Sequence, residues 1–122
     1  MRFKDVSCTP EQVRGGAPGG NYVADTSAPD LQLPTPRMPR PRPSFVSPER
    51  NFVPLWVYLT FVVDTIGTID LCTVRIVRQN EPKWTRAVLE VLAAYRYDPG
   101  RRDGVPVRVL IEENWYFRPP FQ

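Results

Sequence analysis

The sequence predicts an α+β fold: a three-stranded antiparallel sheet with one helix, in the order ββαβ, preceded by an extended proline-rich arm. Most of the fifteen prolines in the 122 residues lie in residues 1–54. Beyond them, apolar residues follow a strand period in three runs and a helical period in one stretch between the second and third runs. We therefore predict an arm over residues 1–53 and a domain over residues 54–122.

The arm combines a glycine-rich patch at residues 15–20 with a proline-rich segment from Pro34 to Pro43. Proline at this density disfavours helices and sheet ladders and favours an extended polyproline II backbone. Two interpretations stay open. The arm is either a disordered linker, as its composition favours, or a semi-rigid element that braces a partner.

Two strands and a hairpin are predicted to open the domain. Leu55 to Val63 is a first strand that is apolar on both faces, and Thr68 to Arg78 is the second strand. The connection from Asp64 to Gly67 ends in a glycine that can adopt the positive φ of such turns. The apolar register of the second strand shifts after Ile69, which indicates a β-bulge.

The helix is predicted to follow Asn80, a suitable cap, with Pro82 in its first turn. Asp98 to Gly100 ends it, Asp103-Gly104 turns the chain, and Val105 to Phe117 forms the last strand. The apolar face of the helix comprises Trp84, Ala87, Val88, Val91, Leu92 and Tyr95.

Composition argues against catalysis and metal binding. The chain has sixteen basic and thirteen acidic residues, a net charge of +3 that is too small to indicate nucleic acid, and no histidine. No phosphate loop, nucleophile motif or zinc spacing is present. We therefore predict a protein that is not an enzyme and has no cofactor, metal, small-molecule substrate or nucleic-acid partner.

The two cysteines leave two alternatives open. Cys8 and Cys72 form one disulfide in an oxidising compartment, or Cys72 is a buried core residue and Cys8 has no structural part. The N-terminus and the rest of the chain contain no apolar run long enough for a leader or a membrane span. If Met1 is the native start, the expectation is a protein that is not exported.

A family resemblance covers about sixty residues. The chain resembles the C-terminal domain of the TonB family of energy transducers, whose pattern runs strand, Asp-x-x-Gly, strand, helix, aromatic-x-Pro, Gly-x-Pro-Val, strand. The matching residues are Val63, Asp64, Gly67, Ile69, Val74, Ala87, Leu89, Leu92, Tyr95, Tyr97, Pro99, Gly104, Pro106 and Val107. The resemblance implies a non-enzymatic binding module whose exposed final strand pairs with an extended peptide.

The chain departs from the family pattern in two ways. The Tyr-Pro segment and short helix that usually precede the first strand are missing, and no transmembrane anchor is seen. Both departures argue against energy transduction.

The expected function is therefore that of a membrane-extrinsic structural subunit, which docks on and braces a larger membrane protein assembly such as a respiratory or photosynthetic complex. The alternative is a periplasmic fragment of a TonB-type transducer that binds outer-membrane transporters. The expected partners are protein subunits and anionic lipid headgroups.

The expected location is the periplasmic face of the membrane by resemblance, or the cytoplasmic face if Met1 is the true start. The residues predicted to bind partners are Arg37, Arg40, Arg42, Arg50, Val109, Ile111, Trp115, Tyr116, Phe117 and Phe121.

Overall fold

A computed structural model describes residues 22–43 and 54–117. These residues form an α+β fold whose main sheet has three antiparallel strands. The strands of this sheet are β3 (Leu55–Val63), β4 (Ile69–Gln79) and β8 (Val109–Phe117), in the spatial order β4-β3-β8. The α+β class and the antiparallel pairing are confirmed.

The central strand β3 has one fully buried side. Leu55, Val57, Leu59, Phe61 and Val63 alternate along it, and all are at most 7% exposed. This side faces helix α1 (Pro82–Leu92), which packs against β3 and β4 through Trp84, Val88 and Leu92. The opposite side of β3 is half-buried, with the exception of the fully buried Val62.

The cap of α1 differs from the prediction. Glu81 is the N-cap, and its side chain accepts a hydrogen bond from the Lys83 amide at 3.0 Å. Asn80 binds the start of β3 instead, because its carboxamide accepts from the Trp56 N–H at 3.0 Å and donates to the Pro54 carbonyl at 2.7 Å. The side chain of Asn80 thus links the residue before the helix cap to the start of β3 by hydrogen bonds.

The helix is also shorter than its apolar pattern predicted. The Ala94 and Tyr95 amides donate to the carbonyls of Val91 and Leu92, three residues back, so the chain tightens into a turn after Leu92. Tyr95 consequently lies beyond the helix, although it remains buried. Within the described ranges no helix is long and apolar enough to cross a membrane.

The predicted bulge in β4 is confirmed by two register shifts against β3, one of them between Thr60 and Val62. The buried Thr73 hydroxyl accepts a hydrogen bond from the Val62 N–H at 2.8 Å and donates to the Asp70 carbonyl at 2.7 Å. The hydroxyl therefore replaces the ladder hydrogen bond that the bulge removes.

The hairpin from Asp64 to Thr68 also matches its prediction. Gly67 has φ +92°, and the Asp64 carboxylate accepts hydrogen bonds from the Ile66 and Thr68 amides at 3.1 and 2.9 Å. A Cβ at Gly67 would lie 2.0 Å from the Tyr97 carbonyl oxygen, so close approach as well as φ requires glycine there.

The predicted last strand, Val105 to Phe117, is divided in the structure. Its first two residues form β7 (Val105–Pro106), which pairs with β6 (Arg101–Arg102) rather than with the main sheet. Asp103 and Gly104 connect them with φ of +52° and +79°, as a tight two-residue hairpin turn requires. The Val107 amide then donates to the Gly100 carbonyl, and β8 begins at Val109.

The described part of the arm lies on the domain. β1 (Leu31–Gln32) pairs with β6, β2 (Thr35–Pro36) pairs with β5 (Tyr97–Asp98), and Val23 forms a parallel bridge with Val109. The proline-rich segment bends at Met38 and Pro39. Residues 22–43 therefore form a strap across the domain.

Cys72 is buried on β4, whereas Cys8, the other cysteine of the predicted alternatives, lies outside the described residues.

Candidate interaction surfaces

The predicted partner-binding residues separate into several places. Arg37, Arg40 and Arg42 are on the strap, and only Arg40 among them is half-buried. Val109 is fully buried and Ile111 packs against the core, while Trp115 and Tyr116 lie on opposite faces of β8. The backbone of Phe117 ends β8, and Arg50 and Phe121 lie outside the described residues.

Two of these residues, Arg40 and Trp115, meet in a cage that also contains Tyr95, Tyr97 and Glu113. We call these five residues the arginine cage. The guanidinium carbon of Arg40 lies 4.7 Å from the ring centroid of Tyr95 and 5.4 Å from that of Trp115. Its Nη2 donates to Glu113 Oε1 at 2.7 Å. The cation is thus held by two aromatic rings and one carboxylate.

Glu113 explains why a cation lies at this position. It pairs across the sheet with Leu59, so its side chain is on the side of the sheet that faces the core. Tyr97, whose ring packs edge-on against Phe61, donates its hydroxyl to Glu113 Oε1 at 3.0 Å. Pairing stabilises a half-buried carboxylate of this kind, and Arg40 is its cationic partner.

The protonation states in the cage follow from these contacts. Burial disfavours the charged guanidinium, but the hydrogen bond and negative charge of Glu113 prevail, and the pKa of Arg40 is raised. Burial raises the pKa of Tyr97 well above its usual value, and the neighbouring Glu113 charge acts in the same direction. Burial likewise raises the pKa of Tyr95, which Arg40 partly offsets. The phenols therefore remain neutral beside a charged pair.

The strap is fastened on both sides of Arg40. The Tyr95 hydroxyl donates to the Pro41 carbonyl at 3.0 Å. The Arg37 amide donates to the Arg96 carbonyl at 2.8 Å, and its side chain forms an exposed salt bridge with Asp98 at 2.9 Å. Helix α1 packs on β3 and β4, so it is this segment of the strap that reaches Glu113 on β8.

A second surface lies on the side of the main sheet opposite α1. Cross-strand pairing aligns Arg75, Thr60 and Glu112 in one row and Arg78, Tyr58 and Asn114 in the next, and Trp56 pairs with Tyr116 in a third. The residues from the outer strands are exposed and those from β3 are half-buried. We call these eight residues the open-face patch.

The open-face patch combines aromatic rings with both signs of charge. The Tyr58 hydroxyl donates to a carboxylate oxygen of Glu112, and this hydrogen bond raises the pKa of Tyr58. Tyr116 is 53% exposed. Tyrosine, tryptophan and arginine are the side chains that most often dominate the energetics of protein interfaces.

The outer edge of β8 is the third candidate surface. The Val23 N–H donates to the Arg108 carbonyl and the Leu110 N–H donates to the Val23 carbonyl, both at 2.8 Å. Backbone groups of even-numbered β8 residues therefore point away from β3. A cavity of about 300 Å³ lies beside this edge. It is lined by Ala24, Thr26, Leu33, Leu110, Ile111 and Glu112.

Several of these residues were not among the predicted site residues. Trp56 and Tyr58 could have been found from the alternation of β3, which places them on one face opposite the core. Glu113, Tyr95 and Tyr97 carry no comparable signal, because Arg40 and Glu113 are 73 residues apart in sequence.

Within residues 22–43 and 54–117 no group of three or more histidine, cysteine or acidic residues could hold a metal ion. A scan against protein-family models and a search of curated proteins found no match to this chain.

Proposed function

We propose that this chain is a non-enzymatic, membrane-extrinsic structural subunit, which docks on a larger membrane protein assembly through a TonB C-terminal-like ββαβ domain. The observation that carries the proposal is the open-face patch. Its rows bring together the rings of Trp56, Tyr58 and Tyr116, and they place arginine, glutamate and asparagine beside these rings on the outer strands. Aromatic side chains bordered by polar and charged ones are typical of a specific protein interface.

The charges of the patch favour a protein partner over nucleic acid. Arg75 and Arg78 on β4 are balanced by Glu112 on β8, so phosphate would be repelled from one side. A partner surface with both signs of charge matches this arrangement and fixes its orientation. The strap presents Arg42, which is exposed, to a second region of the same assembly or to anionic headgroups.

The test is mild-detergent extraction of native membranes, followed by sizing and immunodetection of the chain. The expected result is co-migration with one large complex. The double variant R75E/R78E should lose this co-migration, because it reverses the charge on one side of the patch. The matched variant K83E/R86E makes the same charge change on the exposed face of α1 and should co-migrate like the wild type.

Two outcomes would overturn the proposal. Migration of the wild type as a single species of 14.0 kDa would exclude the assembly. Co-migration of both double variants would exclude the open-face patch as the docking surface.

The TonB-type alternative is favoured by a different observation, the position of β8 at the edge of the main sheet. Along the part of this strand that follows Leu110, no described strand pairs with the outward backbone groups of Glu112 and Asn114. An extended peptide from an outer-membrane transporter would pair there. In the same fractionation the chain would then accompany such a transporter, and E112P, but not E112A, would abolish the association.

A further inference from the structure

The receptor side of the arginine cage belongs entirely to the domain. Tyr95, Tyr97, Glu113 and Trp115 lie in residues 54–117, and only the ligand, Arg40, comes from the strap. Tyr95 and Tyr97 are 3% and 1% exposed, and the rings of Tyr95 and Trp115 are 4.9 Å apart. Tyr95 and Tyr97 belong to the core cluster and Trp115 packs against it, so the domain core as well as the strap positions these cage residues.

The chemistry of the cage selects arginine. A planar guanidinium can lie against both rings while donating to Glu113, whereas a lysine ammonium offers a compact, strongly hydrated charge. The Tyr95 hydroxyl donates to the carbonyl of Pro41, the residue that follows the arginine. The cage therefore contacts the backbone as well as the side chain of an Arg-Pro unit.

The fit of Arg40 is incomplete. Arg40 Nε and Trp115 Nε1 are buried and have no hydrogen-bond partner among the described residues. Elsewhere the strap is held by two-residue strands, by the bridge between Val23 and Val109, and by exposed ion pairs such as Arg37–Asp98 and Arg102–Asp30. Exposed pairs of this kind add little stability. Arg40 therefore occupies the cage partly because the strap tethers it nearby, and not only because it binds tightly.

We propose that the arginine cage is an exchangeable recognition site, which Arg40 fills intramolecularly and which a proline-flanked arginine from a partner protein fills when the strap is displaced. A cation stabilises the half-buried Glu113 in either state, and the exchange replaces one guanidinium with another. The arginine cage lies on the opposite side of the main sheet from the open-face patch, so a ligand can bind there with or without the membrane assembly.

The experiment titrates a fluorescein-labelled peptide with the sequence of Leu33–Pro43 against the full-length chain. The variant R40A should bind the peptide about tenfold more tightly than the wild type does, because its own strap no longer supplies the guanidinium. Replacing the arginine that corresponds to Arg40 with lysine in the peptide should weaken binding by about tenfold. The same replacement at the position of Arg42, which is exposed, should leave affinity unchanged.

The two lysine peptides separate recognition of the arginine from misfolding of a protein variant, because in them the change lies in the peptide. If R40A does not fold, the titration is made on R40K, and the order of the three peptides must be the same. Equal affinity of the two lysine peptides would overturn the proposal, as would the absence of saturable binding to either protein. A wild-type dimer that dissociates in R40A would overturn the partner assignment, since a second copy would then supply the arginine.

Discussion

The side of the main sheet that faces α1 is built in two different ways. Over β3 and β4 it is covered by apolar residues of the helix, and residues such as Leu59 and Phe61 are completely buried. Over β8 it is covered by a strap whose central contact is an ion pair, Arg40 with Glu113, between aromatic rings. Burial stabilises the first region through many non-directional contacts, whereas the second depends on a few contacts that each require one geometry. We therefore expect the helix-covered region to determine folding and the strap to be separable from it.

The largest effect is expected from Phe61→Ala, which removes a fully buried ring from the helix-covered region. Loss of the ring and the cavity that remains should reduce the free energy of unfolding by about 4 kcal/mol. Urea unfolding followed by tryptophan fluorescence measures it. Ile66→Ala, at a hairpin position that is 74% exposed, is the control and should change stability by less than about 0.5 kcal/mol. Similar costs for both variants would contradict this description of the core.

The next largest effect is expected at Gly67, where the first hairpin meets β5. The Tyr97 amide donates to the Gly67 carbonyl at 2.8 Å, and an alanine Cβ would collide with the Tyr97 carbonyl. Gly67→Ala should cost about 2–3 kcal/mol in urea unfolding. At Gly104, also at positive φ, a Cβ would meet nothing within 4 Å. Gly104→Ala should therefore cost only about 1 kcal/mol, and an equal cost would show that close approach has no part.

A smaller effect, confined to the strap, is expected from Arg40→Ala. We expect a loss of about 1–2 kcal/mol, because Glu113 remains without its cation. Hydrogen exchange should show faster exchange at Arg37 while the amides of β3 keep their protection. Arg37→Ala removes only an exposed ion pair and should cost less than about 0.5 kcal/mol. Loss of protection in β3 would mean that the strap and the core unfold together.

The smallest effect concerns Tyr97, which joins the two regions through its ring on Phe61 and its hydroxyl on Glu113. Because its pKa is raised in the folded protein, Tyr97 keeps its proton at pH values where the unfolded chain loses it. Its stabilising contribution is complete below pH 10.0, the ordinary value, and decreases as pH rises above it. At about pH 11 the Tyr97→Phe variant should lose about 1 kcal/mol less stability than the wild type, relative to pH 8.

Urea unfolding at the two pH values measures this difference. Tyr95→Phe is the comparison, and it should alter the pH dependence less, because the charge of Arg40 outweighs that of Glu113 at Tyr95, whereas Glu113 outweighs Arg40 at Tyr97. A pH dependence that is the same in the wild type and in Tyr97→Phe would contradict the assignment.

The difference between the helix-covered region and the strap also explains which elements could be predicted from the sequence. Alternation and helical periodicity predicted the strands of the main sheet and α1, because each apolar face has many members that repeat the signal. The N-cap was misplaced by one residue, because the carboxamide of Asn80 is engaged by Pro54 and Trp56, which are distant in sequence. The last strand was predicted too long because pairing of β7 with β6 depends on local turn geometry, which apolar content does not encode.

The candidate surfaces were less accessible to sequence reasoning. The arginines of the strap were identified by their position between prolines, but no periodic pattern relates Arg40 to Glu113 or to Tyr97. Strands of two residues also lack the length for any alternation to be recognised. The cage exists only because the tertiary fold brings these positions together.

The parallel bridge of Val23 with β8 has a consequence for self-association. An edge strand offers a row of unpaired amides and carbonyls that a strand of another molecule can extend, and such edges initiate ordered aggregation. Val23 pairs with this edge at Arg108 and Leu110. The next residue whose backbone groups point away from β3 is Glu112, which carries a charged side chain. Removal of the strap would open the Arg108–Leu110 part of this edge to a strand of another molecule, so the strap also limits self-association at this end of β8.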